Sequence, residues 1–209
     1  MDYSEYYTQR QPQPLFNIGE VTKWLIIICV AAYILVPQSW YDYLMFNSAT
    51  VSQYPWTLVT NAFLHGGLLH LLFNCFALFM FGSLVELKHG SKFMLLLFFS
   101  SVIFANIVFG IFDPGVYGLG ISAYIYALIG SAVVLEPRAR VFMPIGFIYT
   151  TAPVSIAGPI LFITELVFSI GGGDGIGHVA HAAGFIIGVG IAYFMKQRMP
   201  PLYEKYFKV

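Results

Sequence analysis

Few polar side chains interrupt the apolar stretches of this chain, and four of them form a set that could carry out acyl transfer: Ser122, His181, His70 and Asn74. A serine hydroxyl is a poor nucleophile until a base takes its proton, and a histidine at hydrogen-bonding distance is the usual device. Ser122 follows a glycine-rich run and opens an apolar segment, so its amide lies at a helix N-terminus, where unpaired N–H groups and the dipole can stabilise an oxyanion. His70 and Asn74, four residues apart, share a helix face and could donate from the opposite wall. No Asp or Glu is expected beside His181 at its depth, so the sequence predicts a Ser122/His181 dyad and not a triad. The plain alternatives are a helix cap for Ser122 and interhelical hydrogen bonding for the other three.

The elements that must position these groups are membrane helices. The chain is 58% apolar and 10% charged, with 20 Phe and 14 Tyr in 209 residues, too little polar surface for a soluble domain of that length. A hydrocarbon core of about 30 Å asks for about 20 apolar residues per span. Six segments qualify or come close: residues 21–37, 64–86, 92–112, 122–135, 154–170 and 176–195. The expected architecture is therefore an all-α membrane protein, a six-helix bundle over residues 21–196 between a cytoplasmic tail (1–20) and a C-terminal cytoplasmic tail (197–209). All ten basic residues fall before or at the start of the first segment, between the second and third or at the start of the third, between the fourth and fifth, or after the sixth; the other loops carry only Asp42, Asp113 and Asp174. Basic loops stay inside, so both termini are expected in the cytoplasm. Residues 1–17 read as a short disordered tail without the pattern of a cleavable signal. Cys29 and Cys75 fall within helices as small buried groups. Repeats, phosphate loops and basic nucleic-acid patches are absent.

Depth brings the polar groups to one level. Entering from outside near Leu64, the second helix holds His70 about 9 Å down, and entering near Ile176, the sixth holds His181 about 7 to 8 Å down, at ~1.5 Å per residue. The fourth helix has only 14 residues between Ser122 and the polar Glu136-Pro137-Arg138, ~21 Å of helix against ~30 Å of hydrocarbon. Its outer end must start about 9 Å below the surface, capped by the irregular Pro114–Ile121 stretch, which implies a water-accessible cavity. Gly177, His181, Gly184, Gly188 and Ala192 form a small-residue stripe on the sixth helix. Ser122 and Tyr126 share a face of the fourth. A close crossing of these two helices would bring the Ser122 hydroxyl to His181, with the Tyr126 ring near the imidazole. His65, five residues from His70, points about 140° away on a helix and is not expected to be its partner. Asn106 reads as structural, His178 as a water-facing neighbour of the site near Asp174. Glu165, mid-helix in the fifth segment, reads as a structural hydrogen-bonding residue ahead of a functional acid. A zinc hydrolase would carry H-E-x-x-H and a carboxylate; His65, His70, His178 and His181 lack that spacing, so neither metal nor cofactor is expected.

These residues resemble the rhomboid family of intramembrane serine proteases. His65-Gly66-Gly67-Leu68-Leu69-His70-Leu71-Leu72-Phe73-Asn74 is similar to its H-x-x-x-x-H-x-x-x-N motif, Gly120-Ile121-Ser122-Ala123 to its G-x-S-G motif, and Ala180-His181-Ala182-Ala183-Gly184 with Gly188 to its A-H-x-x-G-x-x-x-G helix. Gly130 and the run from Gly82 through Glu86 to Gly90-Ser91 are secondary matches. The resemblance implies a rhomboid-like fold in which Ser122 is the nucleophile and His181 the base. His70, Asn74 and the Ser122 amide would form the oxyanion site, with Tyr126 stacked under His181. It also implies a membrane-dipping first loop (37–63), a lateral gate at the fifth helix, and transmembrane-protein substrates cut near the outer face. Ala123 replaces the usual Gly of the serine motif, and Thr57 stands where bacterial members often carry Arg. A catalytically inactive rhomboid-like protein that binds transmembrane segments is the alternative reading, although such relatives usually lose the Ser or the His.

Overall fold

The computed structural model describes residues 17–145, 148–171 and 174–198; most of both predicted tails, with Arg10, Lys205 and Lys208, lies outside them. Among the described residues there are six principal helices: α1 Glu20–Leu35, α2 Leu68–His89, α3 Ser91–Phe112, α4 Ser122–Leu135, α5 Val154–Gly171 and α6 His178–Arg198. By length and composition α2, α3, α5 and α6 can cross a membrane. A fifth crossing is available if α1 counts together with the helical turns at 38–44, which bend away from it by 107°. The helices present apolar side chains outward, among them Ile34, Leu69, Phe73 and Ile111, each about 70% exposed, a surface suited to lipid.

Helix boundaries follow local chemistry. The α4 limits coincide with those expected, because Glu136-Pro137 cannot continue an apolar helix. Helix α2 starts at Leu68 and not at Leu64, since Gly66-Gly67 precedes it and Gly67 is extended at φ 179°. A π-helical turn over Leu78–Gly82 interrupts α2. It brings Gly82 against Thr22 of α1, where an added Cβ would lie 2.7 Å from the hydroxyl. At the same end Glu86 ties three elements together. Its carboxylate accepts the Val21 and Thr22 amides at 2.8 Å and the Thr22 and Ser91 hydroxyls at 2.7 Å, so it caps the first turn of α1 from a distance.

The connection from α4 to α5 holds an antiparallel hairpin that the sequence reading did not foresee, β1 (Arg140–Ile145) and β2 (Ile148–Pro153), in register from Arg140 opposite Pro153 to Ile145 opposite Ile148. The long loop between α1 and α2 folds into short helical turns at 38–40, 41–44, 57–60 and 61–63. Asn106 of α3 anchors it, exchanging reciprocal carboxamide hydrogen bonds of 3.0 Å with Asn61 and donating to the Leu58 carbonyl at 2.9 Å. The structural role read for Asn106 is thus met in a definite form. Thr57 is buried and donates its hydroxyl to the Tyr54 carbonyl at 2.7 Å, so this departure from the family pattern is accommodated inside the loop. Among the described residues Cys29 and Cys75 are free thiols.

Candidate active site

The site is built on the crossing of α4 and α6. A Cβ on Gly184 or Gly188 would run into the carbonyl oxygens of Ala123 and Ala127, and one on Gly130 into the carbonyl of Phe185. Only hydrogen at these positions allows the two backbones to meet. Of the expected stripe, Gly177 lies just before α6 and makes only ordinary contacts, while Ala192 is fully buried.

That approach places Ser122, first residue of α4, against His181 in the first turn of α6. Ser122 Oγ lies 2.7 Å from His181 Nε2, a strong hydrogen-bond length. The Tyr126 ring lies parallel to the imidazole, centroids 4.7 Å apart and planes 10° from coincidence, because residues 122 and 126 project from the same side of α4.

On the opposite wall, Gly120 adopts φ +110° and donates its amide to the Asn61 carbonyl at 2.9 Å. A Cβ there would lie 2.9 Å from the His70 ring and 3.6 Å from Asn74 Nδ2. Glycine is therefore required both for the backbone conformation and for the close approach of His70 and Asn74 to the serine loop. Asn74 is buried, and its Nδ2 donor has no hydrogen-bond partner among the described residues. An unsatisfied buried amide is costly, and here it borders the residue pair before the nucleophile. The serine loop is held from outside by the first loop, through paired bonds between Phe46 and Gly118 (2.8 and 3.0 Å) and between Asn47 and the Gly115 carbonyl (2.8 Å).

Three expectations are overturned here, for His65, for the surroundings of His181 and for His178. His65 precedes the first turn of α2, so helical angular reasoning does not apply to it; its ring meets that of His70 edge-on at 5.0 Å. The second correction concerns the absence of an acid near His181. Glu165 of α5 is buried, and its Oε2 lies 3.0 Å from His181 Nδ1 and 2.5 Å from His178 Nδ1; its Oε1 accepts the Tyr126 hydroxyl. His178 is itself buried and not water-facing, and its Nε2 reaches Asp174 at 2.9 Å. That hydrogen bond is the main cause holding the Asp174 carboxyl below the usual carboxylate range. A chain of contacts thus runs from Asp174 through His178, Glu165 and His181 to Ser122. The signal that could have found Glu165 was the depth count already applied to the histidines. Five residues in from residue 170, it stands about 7.5 Å down at ~1.5 Å per residue, level with His181. It also continues the buried stripe of α5 formed by Val154, Ala157 and Gly158.

Glu165, His178 and His181 also offer three donor atoms within 4.8 Å of one another, a grouping that a metal could use in principle. Both Nδ1 atoms meet the same Glu165 oxygen, at 2.5 and 3.0 Å, the second an ordinary N–H···O length and the first shorter than one. A cation there would compete with a proton for the same Nδ1 lone pairs.

The family model described as Rhomboid domain matches residues 52–198. Among curated proteins the chain is 30% identical over 186 residues to the Rhomboid protease GlpG of Yersinia pestis (strain Pestoides F) and to that of Yersinia pseudotuberculosis serotype O:3 (strain YPIII). It is 29% identical to that of Yersinia enterocolitica serotype O:8. Each alignment covers 84% of this chain and 63% of the relative, so the chain spans a little under two thirds of their length.

Proposed function

Since the chain belongs to the rhomboid family, we propose that it is an intramembrane serine endopeptidase that cuts transmembrane segments of other membrane proteins near the outer face, with Ser122 as nucleophile and His181 as base. The observation that carries this reading is the 2.7 Å contact between Ser122 Oγ and His181 Nε2 at the start of α4. Beside it stands the Asn74 Nδ2 donor, without a hydrogen-bond partner among the described residues, as an oxyanion donor should be before substrate arrives. In the proposed reaction Ser122 Oγ attacks the scissile carbonyl while its proton passes to His181 Nε2. The oxyanion is met by the Ser122 amide with Asn74 and His70, the family's oxyanion set, and His181 then protonates the departing amine. Water, activated by the same histidine, releases the acyl group from Ser122.

The same reading sets α1 to α6 as six spans of one catalytic domain (21–196), both termini in the cytoplasm. Helix α4 is short because its outer end lies within the membrane, and the site opens outward beneath the first loop. Substrates unwind locally and enter past α5. Gly and Pro near the outer end of a substrate helix should favour cutting, since they lower the cost of unwinding by about 1 and 3 kcal/mol relative to Ala.

The test is labelling of the purified protein by a fluorophosphonate probe together with cleavage of a transmembrane substrate. Ser122→Ala and His181→Ala should each abolish both, and the double variant should be no worse, because nucleophile and base act as a unit. Proteolysis surviving Ser122→Ala would overturn the assignment. Binding of transmembrane segments without labelling or cleavage would point to an inactive relative.

A further inference from the structure

We propose that Glu165 is a positioning residue for the base, accepting the Nδ1–H of His181 so that Nε2 is left as the lone pair facing Ser122. This rests on the protease reading above. By its place in the sequence Glu165 reads as structural ahead of a functional acid, and the three family motifs do not include it.

The argument is geometric. A neutral imidazole has one N–H and one lone pair, and a serine base must present the lone pair to the hydroxyl. Stacking on Tyr126 at 4.7 Å fixes the plane of the His181 ring. It cannot tell the ring from its flipped form or one tautomer from the other. A hydrogen bond at each end can. Nε2 meets Ser122 Oγ at 2.7 Å and Nδ1 meets Glu165 Oε2 at 3.0 Å, so the second contact selects the tautomer that the first one needs. When the ring accepts the serine proton, the carboxylate stands beside the imidazolium and stabilises it.

The carboxylate is in turn held by groups that do not touch Ser122. Tyr126 donates to Oε1, and His178 donates to Oε2 from 2.5 Å while its far nitrogen reaches Asp174. A residue serving only to tie α5 to the bundle would need one of these bonds; the orientation of Oε2 toward both histidines is what tautomer control requires. Glu165 also rides on α5, the least enclosed of the four long helices. Displacing α5 from the bundle therefore withdraws the acceptor and leaves the tautomer of His181 unfixed.

The experiment uses the full-length protein. Glu165→Gln keeps the size of the side chain but can offer His181 no carboxylate, and Glu165→Asp keeps the charge on a shorter arm. With Gln, kcat should fall by about 10²- to 10⁴-fold, the range for a compromised general base and its orienting acid, with KM unchanged within about two-fold. The rate of fluorophosphonate labelling at Ser122 should fall in parallel, since that small probe needs no helix to unwind. Glu165→Asp should recover part of both. Nitrogen-15 NMR of histidine-labelled wild-type protein should find the His181 proton on Nδ1, and the Gln variant should show a mixture of tautomers. A wild-type proton on Nε2 would overturn the proposal without any variant, even if the Gln form fails to fold. So would a Gln variant labelled at the wild-type rate, a change confined to KM, or stoichiometric zinc bound through these side chains with activity lost on its removal. If wild-type and Ser122→Ala protein are equally unlabelled, the protease reading is what fails, and the NMR tautomer still decides whether Glu165 holds His181.

Discussion

The α4–α6 seam makes a prediction that can be worked from distances. In Gly184→Ala, three positions from the base along α6, the new methyl would overlap the carbonyl oxygen of Ala123, the α4 residue next to the nucleophile. The obstacle is backbone, so no side chain can rotate out of the way. Relief to an ordinary carbon–oxygen contact requires the helices to part by roughly 1 Å or more, given optimal separations of about 3.5 Å. Added to the 2.7 Å between Ser122 Oγ and His181 Nε2, such a movement carries the pair past hydrogen-bonding reach. A misplacement of about 1 Å costs on the order of 10²-fold in rate, or about 2.7 kcal/mol of barrier. The control lies in the same helix. An added Cβ at Gly190 meets nothing within 4 Å, so Gly190→Ala should leave activity intact and leave stability unchanged or raised, since alanine is the better helix former by about 1 kcal/mol. Both variants would be compared for cleavage of a transmembrane substrate, for fluorophosphonate labelling and for thermal unfolding in detergent. Gly184→Ala with kcat within about two-fold of wild type would refute the claim that the seam sets the catalytic distance.

Asn74→Ala should lower kcat by about 2.7 to 4 kcal/mol of transition-state stabilisation, the range for a lost oxyanion donor, with substrate binding retained; an unchanged rate would place the oxyanion site elsewhere. Glu86→Gln should reduce unfolding stability by about 1.5–3 kcal/mol, the worth of charge-assisted hydrogen bonds, while labelling of Ser122 at low temperature stays normal; equal stability would show that the four bonds to this carboxylate contribute little. A cysteine placed beside Asp113 or Asp174 should react with impermeant reagents from outside and one beside Arg138 should not; the reverse pattern would move the site to the cytoplasmic face. Replacing a Gly-Ala pair near the outer end of a substrate helix by Leu-Leu should slow cutting; equal cleavage, or scission mapped to the helix centre, would refute local unwinding.

How much of this architecture the sequence disclosed depends on how local the controlling physics is. Helix limits were legible where a single chemical break decides them, as at Ser122 and at Glu136-Pro137. Counting from Leu64 misplaced the start of α2, because apolar character continues through a Gly66-Gly67 pair that does not continue the helix, and with it went the angular argument separating His65 from His70. The hairpin between α4 and α5 escaped because its pairing, Arg140 with Pro153 through Ile145 with Ile148, is a relation between residues up to thirteen apart with no helical period to announce it. The small-residue stripe of α6 was readable, since glycine spacing states directly which face admits another backbone.

The acid beside His181 is the instructive failure. The rule that an ionisable group inside a span is functional by default did flag Glu165, yet the residue was weighed alone, by its position along one helix. Burying a carboxylate is tolerable only where donors surround it, so the sharper question was which donors stand at its level. Counted from the outer ends, Ser122, His70 and His181 stand near that depth, with His178 one turn above and Tyr126 one turn below; Tyr126, His178 and His181 are the ones that meet Glu165 in the fold. Ser122 instead meets the other nitrogen of His181. Once Tyr126 and the two histidines share one acceptor, the imidazole of His181 is bonded at both nitrogens. Its Nε2 bond to Ser122 is then the one through which the proposed reaction would draw the serine proton.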